Sequence, residues 1–349
     1  MSKPRVTHIA VCSMFSLLAA CGGGGGGSST TTTPQQPTGL AIDSTNQKAA
    51  AAAGAQSVFD SVGAINASGG TSALAAPSAA NGGVLALGVA SNTLRKTILR
   101  MSPEAVQTLT PAGGQTCAGG GTYTLQWNDA NNNLTFDAGD SFTYVYQNCV
   151  DASGSTTDGT LVLNLLQFQQ TGSNITATAS SVFTNFLIVD QTSGGRINGT
   201  VQLTTTGTSS SGNPSSDTCN AGTNSATYDQ IVVDDLSASK SVLRSTTLKA
   251  GQVTTRIGVD CSLALTVAQT AVGSWTGIAG TLKIATPTTI LTDANGLPYA
   301  GSYSVAADTG KILVSFAAAG ASQLQLDANG DGTYENTTSL TWADLGVSN

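Results

Sequence analysis

The chain has 349 residues, only 9% of them charged, with 13 Lys and Arg against 20 Asp and Glu and a net charge of −7. So sparse and acidic a charge balance excludes binding to nucleic acid through phosphate neutralisation. The length is ample for a sizeable core, and His8 is the single histidine.

Residues 1–20 read as an export signal. Lys3 and Arg5 form a short positive start, and a mostly apolar stretch from Ile9 to Leu18 follows. That stretch is too short to cross a bilayer as a helix. It ends in Leu18-Ala19-Ala20-Cys21, an aliphatic residue, two small ones and a cysteine. The segment resembles the lipobox of bacterial lipoproteins. The resemblance implies cleavage before Cys21, acylation of its thiol and new amino group, and anchoring to a membrane. Several acyl chains anchor firmly, because each buried methylene contributes ~0.8 kcal/mol. In Gram-negative members an Asp after the cysteine retains the protein in the inner membrane. Gly22 stands there in this chain, so the resemblance implies the outer membrane.

Loss of the signal takes Lys3 and Arg5, leaving 11 basic residues against 20 acidic ones, a net of −9. It also takes His8, and with it Ser-His-Asp and Cys-His catalysis and every His metal site. Residues 21–43 read as a tether. Gly22 to Gly27, two serines and Thr30 to Thr33 have no means of building a core.

Residues 44–115 read as a mainly helical segment. Lys48 to Ala55 is Ala-rich, and Val58, Phe59, Val62 and Ile65 share one helical face. A second helix is predicted from Val84 to Met101, with Leu94, Ile98 and Met101 on one side. Its Arg95, Lys96 and Arg100 read as a solvated face near the helix C-terminus.

From residue 116 to 349 the period becomes two. Tyr123, Leu125 and Trp127 alternate with Thr122, Thr124 and Gln126, and Phe142, Tyr144 and Tyr146 follow the same rule. The pattern recurs in Ile197, Val201 and Leu203, in Leu263, Leu265 and Val267, in Leu282 and Ile284, in Tyr303 and Val305, and in Ile312, Val314 and Phe316. Thr-rich strands with one apolar face, separated by Gly, Asn and Ser turns, predict antiparallel sheets solvated on one side. An antiparallel sandwich and an open curved barrel both fit this mainly β pattern. Thr205 to Thr223 reads as a long loop.

Two segments of this region repeat each other. Asp129-Ala130-Asn131 through Ser141-Phe142-Thr143-Tyr144 aligns without gaps on Asp327-Ala328-Asn329 through Ser339-Leu340-Thr341-Trp342. Each copy joins two strands as a hairpin with a long acidic loop. Calcium loops of the EF-hand type take oxygens from positions 1, 3, 5, 7, 9 and 12. Asp129, Asn131, Asn133, Thr135, Asp137 and Asp140 fill those positions in the first copy. Asp327, Asn329, Asp331, Thr333 and Glu335 fill the first five in the second. Both copies resemble calcium loops and both depart from them: Leu134 replaces the turn glycine, Thr338 replaces the last carboxylate, and no flanking helices are evident. The competing reading is a set of Asx-turns with no ion, but such long hairpin loops need a reason to be ordered. Asp293-Ala294-Asn295-Gly296 lacks the later acids and reads as a plain turn.

Cys117, Cys149, Cys219 and Cys261 suggest two disulfides in an oxidising compartment, with three pairings to choose from. Zinc is disfavoured because no C-x-x-C pair occurs. If Trp127 lies near Ser141 across the first loop, Cys149 faces residue 119, two places from Cys117. That geometry selects Cys117–Cys149, worth about 3–4 kcal/mol in the chain-entropy picture, and leaves Cys219–Cys261.

Three functions follow. A non-catalytic envelope module, structural or adhesive, would bind an envelope protein or glycan. A carrier of a small ligand or lipid would need a half-barrel with an apolar lining. A carboxylate-dependent polysaccharide hydrolase needs a distinguished acid pair, and the mature chain has only Glu104 and Glu335 as glutamates. The chain's texture also resembles Gram-negative envelope lipoproteins that join a Gly-rich tether to a strand-rich, Asp/Asn-loop domain, a resemblance that names no activity.

Overall fold

The computed structural model describes residues 39–66, 114–172, 174–208, 222–258, 262–293, 297–317 and 322–345. The expected helix over 84–101, Cys21, Cys219 and Cys261 lie outside the described residues. The described residues belong to one compact unit that begins at Gly39. Leu40 and Ile42, in the stretch read as tether, belong to it: Ile42 is fully buried and its N–H donates to the Thr309 carbonyl at 2.9 Å.

Among the described residues one helix, α1 (Gln47–Asn66), precedes the strands. Its start is set by a reciprocal cap. The Asp43 carboxylate accepts from the Thr45 and Asn46 N–H groups, and the Asn46 side chain accepts from the Asp43 N–H at 2.9 Å. These bonds satisfy donors that a helix start leaves without intrahelical partners.

The strands open with β1 (Gln115–Thr116), β2 (Gly120–Asn128), β3 (Ser141–Val150) and β4 (Thr156–Thr171). The long central ones are β5 (Asn174–Val189), β6 (Ser193–Thr208), β7 (Gly222–Ser237), β8 (Val242–Ile257), β9 (Leu263–Trp275) and β10 (Ile278–Thr292). The last are β11 (Pro298–Ala306), β12 (Lys311–Phe316), β13 (Ser322–Asp327) and β14 (Asn336–Leu340). Every strand pairs antiparallel with its neighbours in sequence, giving one 14-stranded meander with β1 and β14 at its edges. The sheet stays open. Of the two arrangements the alternation allowed, the open one is present, and among the described residues no second sheet forms a sandwich. The loop read over 205–223 is shorter than expected, since β6 continues to Thr208 and β7 begins at Gly222.

Alternation explains why the sheet has one apolar face. Leu161, Leu163 and Leu165 of β4, Ile175, Ala177 and Ala179 of β5, and Leu265 and Val267 of β9 are all buried in one cluster. Their neighbours in sequence face out. Five strands are 16 residues long, about 50 Å if straight, and they do not keep one register along that length. Asn148 in β3, Asn185 in β5 and Ala250 in β8 have positive φ and sit at register shifts. Each inserts a residue, leaving paired outward residues such as Thr184 and Asn185 between buried Phe183 and Phe186. Bulges of this kind bend a strand and increase its twist. Glycine is required beside them: a Cβ on Gly159 would lie 2.3 Å from the Asn185 carbonyl oxygen. Pro287, which cannot donate to a ladder, falls where β10 slips register against β9 and β11.

Helix α1 lies on the apolar face along β7 to β12. Small residues permit a close seat. Ala50, Ala51 and Ala53 are fully buried, and a Cβ on Gly54 would come within 2.3 Å of the Val305 side chain. Polar groups of the sheet then reach the helix backbone. The buried Tyr303 hydroxyl donates to the Ala51 carbonyl at 2.8 Å, and the Gln269 amide donates to the Ser57 carbonyl at 2.9 Å. Gln269 in turn accepts from the Tyr228 hydroxyl. Burial raises the Tyr303 phenol well above its usual range, so it stays a donor.

Asp234 and Asp235, adjacent in β7, point to opposite faces. Asp234 pairs with Arg196 at 2.5 Å, and Asp235 pairs with Arg244 at 2.5 Å. Arg244 also donates to Gln56 of α1. Burial pushes the Asp235 carboxyl up to about 6, which the Arg244 guanidinium offsets only in part. The native state thus binds this proton more tightly than the unfolded chain. The burden on stability is greatest above pH 6 and lifts as the pH falls from about 6 towards the ordinary value of 3.8. We predict that acidification from about pH 7.5 to 5 adds more stability to the wild type than to Asp235→Asn in urea unfolding. Identical pH slopes would contradict this placement of the charge.

Candidate metal centre

The two acidic hairpin loops join β2 to β3 and β13 to β14. The first turns of the two loops repeat each other in backbone conformation. Asn132 and Leu134 in the first loop have φ of 56°, and Gly330 and Gly332 at the aligned positions of the second have φ of 78° and 91°. Glycine takes this conformation at no steric cost, whereas Leu134 carries a penalty of about 1–2 kcal/mol.

The hydrogen bonds repeat as well. Asp129 accepts from the Leu134 N–H at 2.7 Å, as Asp327 does from the Gly332 N–H at 3.0 Å. Asn131 accepts from the Asn133 N–H at 3.0 Å, and Asn329 from the Asp331 N–H at 2.9 Å. Asn133 and Asp331 each accept from the threonine two residues on, Thr135 or Thr333, at 2.7 Å. Asx-turns therefore build both loops.

The loops differ where the carboxylates meet. In the first, Asp140 is fully buried and accepts from the Ala130 N–H at 3.0 Å and the Asp137 N–H at 3.2 Å. Asn131 and Asn133 aim their amide nitrogens at Asp137, the shorter bond being 2.6 Å. Asp137 is satisfied by donors of the chain itself. Phe136 pins this loop by packing on Phe142 and Phe168, with ring centroids 5.2 and 5.4 Å away.

In the second loop Thr338 stands where Asp140 would be, and Glu335 takes over its bond, accepting from the Ala328 N–H at 3.1 Å. That reach brings Glu335 towards Asp327 and Asp331. Oxygens of these three carboxylates all lie within 4.8 Å of one another, the one such acidic group among the described residues. Asp327 is buried, while Asp331 and Glu335 are exposed. Bonds from the Thr333 N–H, the Asn329 amide and the Thr333 hydroxyl lower the Asp331 carboxyl below its usual range. All donors in the loop are oxygens, a set suited to a hard cation and not to zinc. Two oxygens bound to one calcium at 2.3–2.6 Å lie up to about 5 Å apart, so this spacing is compatible with a shared ion.

The expected first site is therefore not assembled as a carboxylate cluster, although Asp129, Asn131, Asn133, Thr135, Asp137 and Asp140 lie in one loop. Asn329 and Thr333 lie in the loop that holds the second. The expected disulfide Cys117–Cys149 is present, with Cα atoms 5.4 Å apart. Its supporting register is shifted by one: Trp127 faces Phe142, not Ser141. The bulge at Asn148 then shifts the ladder again, so that Gly120 faces Val150. Phe136 is the residue whose role the ligand spacing does not indicate; its signal is an aromatic side chain amid polar loop residues. Comparison with protein-family models, curated proteins and solved structures finds no match for this chain.

Proposed function

We propose that this chain is a lipid-anchored extracytoplasmic module of the bacterial envelope that binds or supports a partner and performs no catalysis. Its hairpin between β13 and β14 takes calcium. The observation that carries the calcium reading is the convergence of Asp327, Asp331 and Glu335, three negative charges held together in a loop whose carboxylates would otherwise repel. The lipobox at Leu18 to Cys21 and the Cys117–Cys149 bridge support export to an oxidising compartment. The absence of histidine after residue 20 and the use of Glu335 in loop closure favour binding over hydrolysis.

The carrier reading draws support from the open sheet and its apolar face. It is weakened by α1, which fills that face along β7 to β12 with the chain's own side chains.

Binding to the native state alone stabilises by RT ln(1 + [L]/Kd). Millimolar calcium is expected to raise the melting temperature of the mature chain by several degrees relative to chelator, and Asp331→Asn and Glu335→Gln are expected to abolish that rise. No calcium-dependent shift in the wild type would remove the ion from the account. The anchor has its own readout. Wild type should enter the detergent phase on phase separation and Cys21→Ser should stay in the aqueous phase; equal partitioning would remove the lipid.

A further inference from the structure

A groove of about 800 Å³ opens on the outer, solvated face of the sheet across β4 to β8. That volume falls within the range of about 300–1,000 Å³ typical of ligand sites, and four inter-strand spacings give a length of about 19 Å. Its floor is a polar row built by register: Ser180 of β5 faces Gln202 of β6, which faces Thr227 of β7. Strand irregularities border it. Asp229 and Gln230 turn outward together between buried Tyr228 and Ile231, and Ala250 has a φ of 47° on the neighbouring strand. Exposed Leu166, at a register slip of β4, supplies an apolar edge and is 51% exposed.

The chemistry of this lining is selective. Among the described residues, the side chains of Ser180, Gln202, Thr227, Asp229 and Gln230 have no hydrogen-bond partner within the chain. Hydroxyls and amides both donate and accept. One carboxylate, Asp229, lines the groove and no Lys or Arg does. Phosphate- or carboxylate-bearing polymers would meet the Asp229 charge inside the groove, while Lys249, across from Gln230 on β8, stands outside its lining. A chain of neutral sugars meets what it needs: mixed donors and acceptors for its hydroxyls, a carboxylate acceptor, and an apolar side chain for a C–H face.

We propose that the groove across β4 to β8 binds a neutral oligosaccharide chain through Ser180, Gln202, Thr227, Asp229 and Gln230. The proposal rests on the reading of the protein as a binding module and names its ligand class. Catalysis is not implied, since Asp229 lacks an acid partner in the groove.

The test uses full-length mature protein in detergent and calorimetric titration with cellohexaose, chitohexaose and maltohexaose, with hexagalacturonate as the anionic probe. At least one neutral probe should bind with Kd of about 1 mM or tighter. Gln202→Ala with Gln230→Ala should weaken it about tenfold or more, and Thr227→Trp should block it, with melting temperatures kept. Three results overturn the proposal: no neutral probe binding at about 10 mM, binding indifferent to all three substitutions, or hexagalacturonate binding as well as the neutral probes. Calcium-dependent melting and detergent partitioning are measured on the same preparation. Their persistence without glycan binding overturns the groove alone, and their loss overturns the broader reading.

Discussion

An open antiparallel sheet with a single apolar face is stable only if something covers that face. In this protein the seat of α1 meets that demand along β7 to β12. The helix sits close because its contacting residues are small, and closeness lets Tyr303 and Gln269 bond its carbonyls at Ala51 and Ser57. A larger side chain at Gly54 would lift the helix off Val305 and Tyr303 and break those bonds together. Buried polar groups left unpaired cost about 1–3 kcal/mol each, so the seat is cooperative: packing and hydrogen bonding hold or fail as one. The same principle places Arg244 between Asp235 and Gln56, a charge that needs both partners because it is largely out of water.

Much of this architecture was legible in the sequence. Leu265 and Val267, and Ile312 and Val314, fall two residues apart on the face expected to be apolar and are buried as expected. The Ala-rich run after Lys48 has high helix propensity and forms α1. Less was legible wherever the backbone departs from regular geometry. Asn148 and Asn185 look like ordinary strand residues, yet each takes positive φ and shifts the ladder. The outward pairs they and their neighbours create are visible in the sequence only as lapses in alternation, such as Asp229-Gln230. A register counted from Trp127 was wrong by one for the same kind of reason: the turn length of an Asx-built loop does not follow from its residue count.

The two hairpin loops show how far a repeat in sequence is a repeat in function. Both keep the left-handed positions and the Asx bonds, but their strands then pair differently: Asn128 faces Ser141, whereas Leu326 faces Asn336, at the position aligned with Ala138. A single exchange at the last position, Asp140 against Thr338, changes what the ninth-position acid must do. With Asp140 present, Asp137 is free to be held by Asn131 and Asn133. With Thr338 present, Glu335 closes the loop and joins Asp327 and Asp331. The spacing of potential ligands was readable in both copies; which acids converge was not, because it depends on which backbone N–H groups each acid must satisfy.

Hydrogen exchange under native conditions on the Gly54→Leu variant bears most directly on the claim that α1 and its strands stand or fall together. The account predicts that protection is lost jointly by α1 and by β8 to β12, with the exchange rates of these elements rising in parallel. Loss of protection confined to α1, with those strands exchanging as in the wild type, would contradict it.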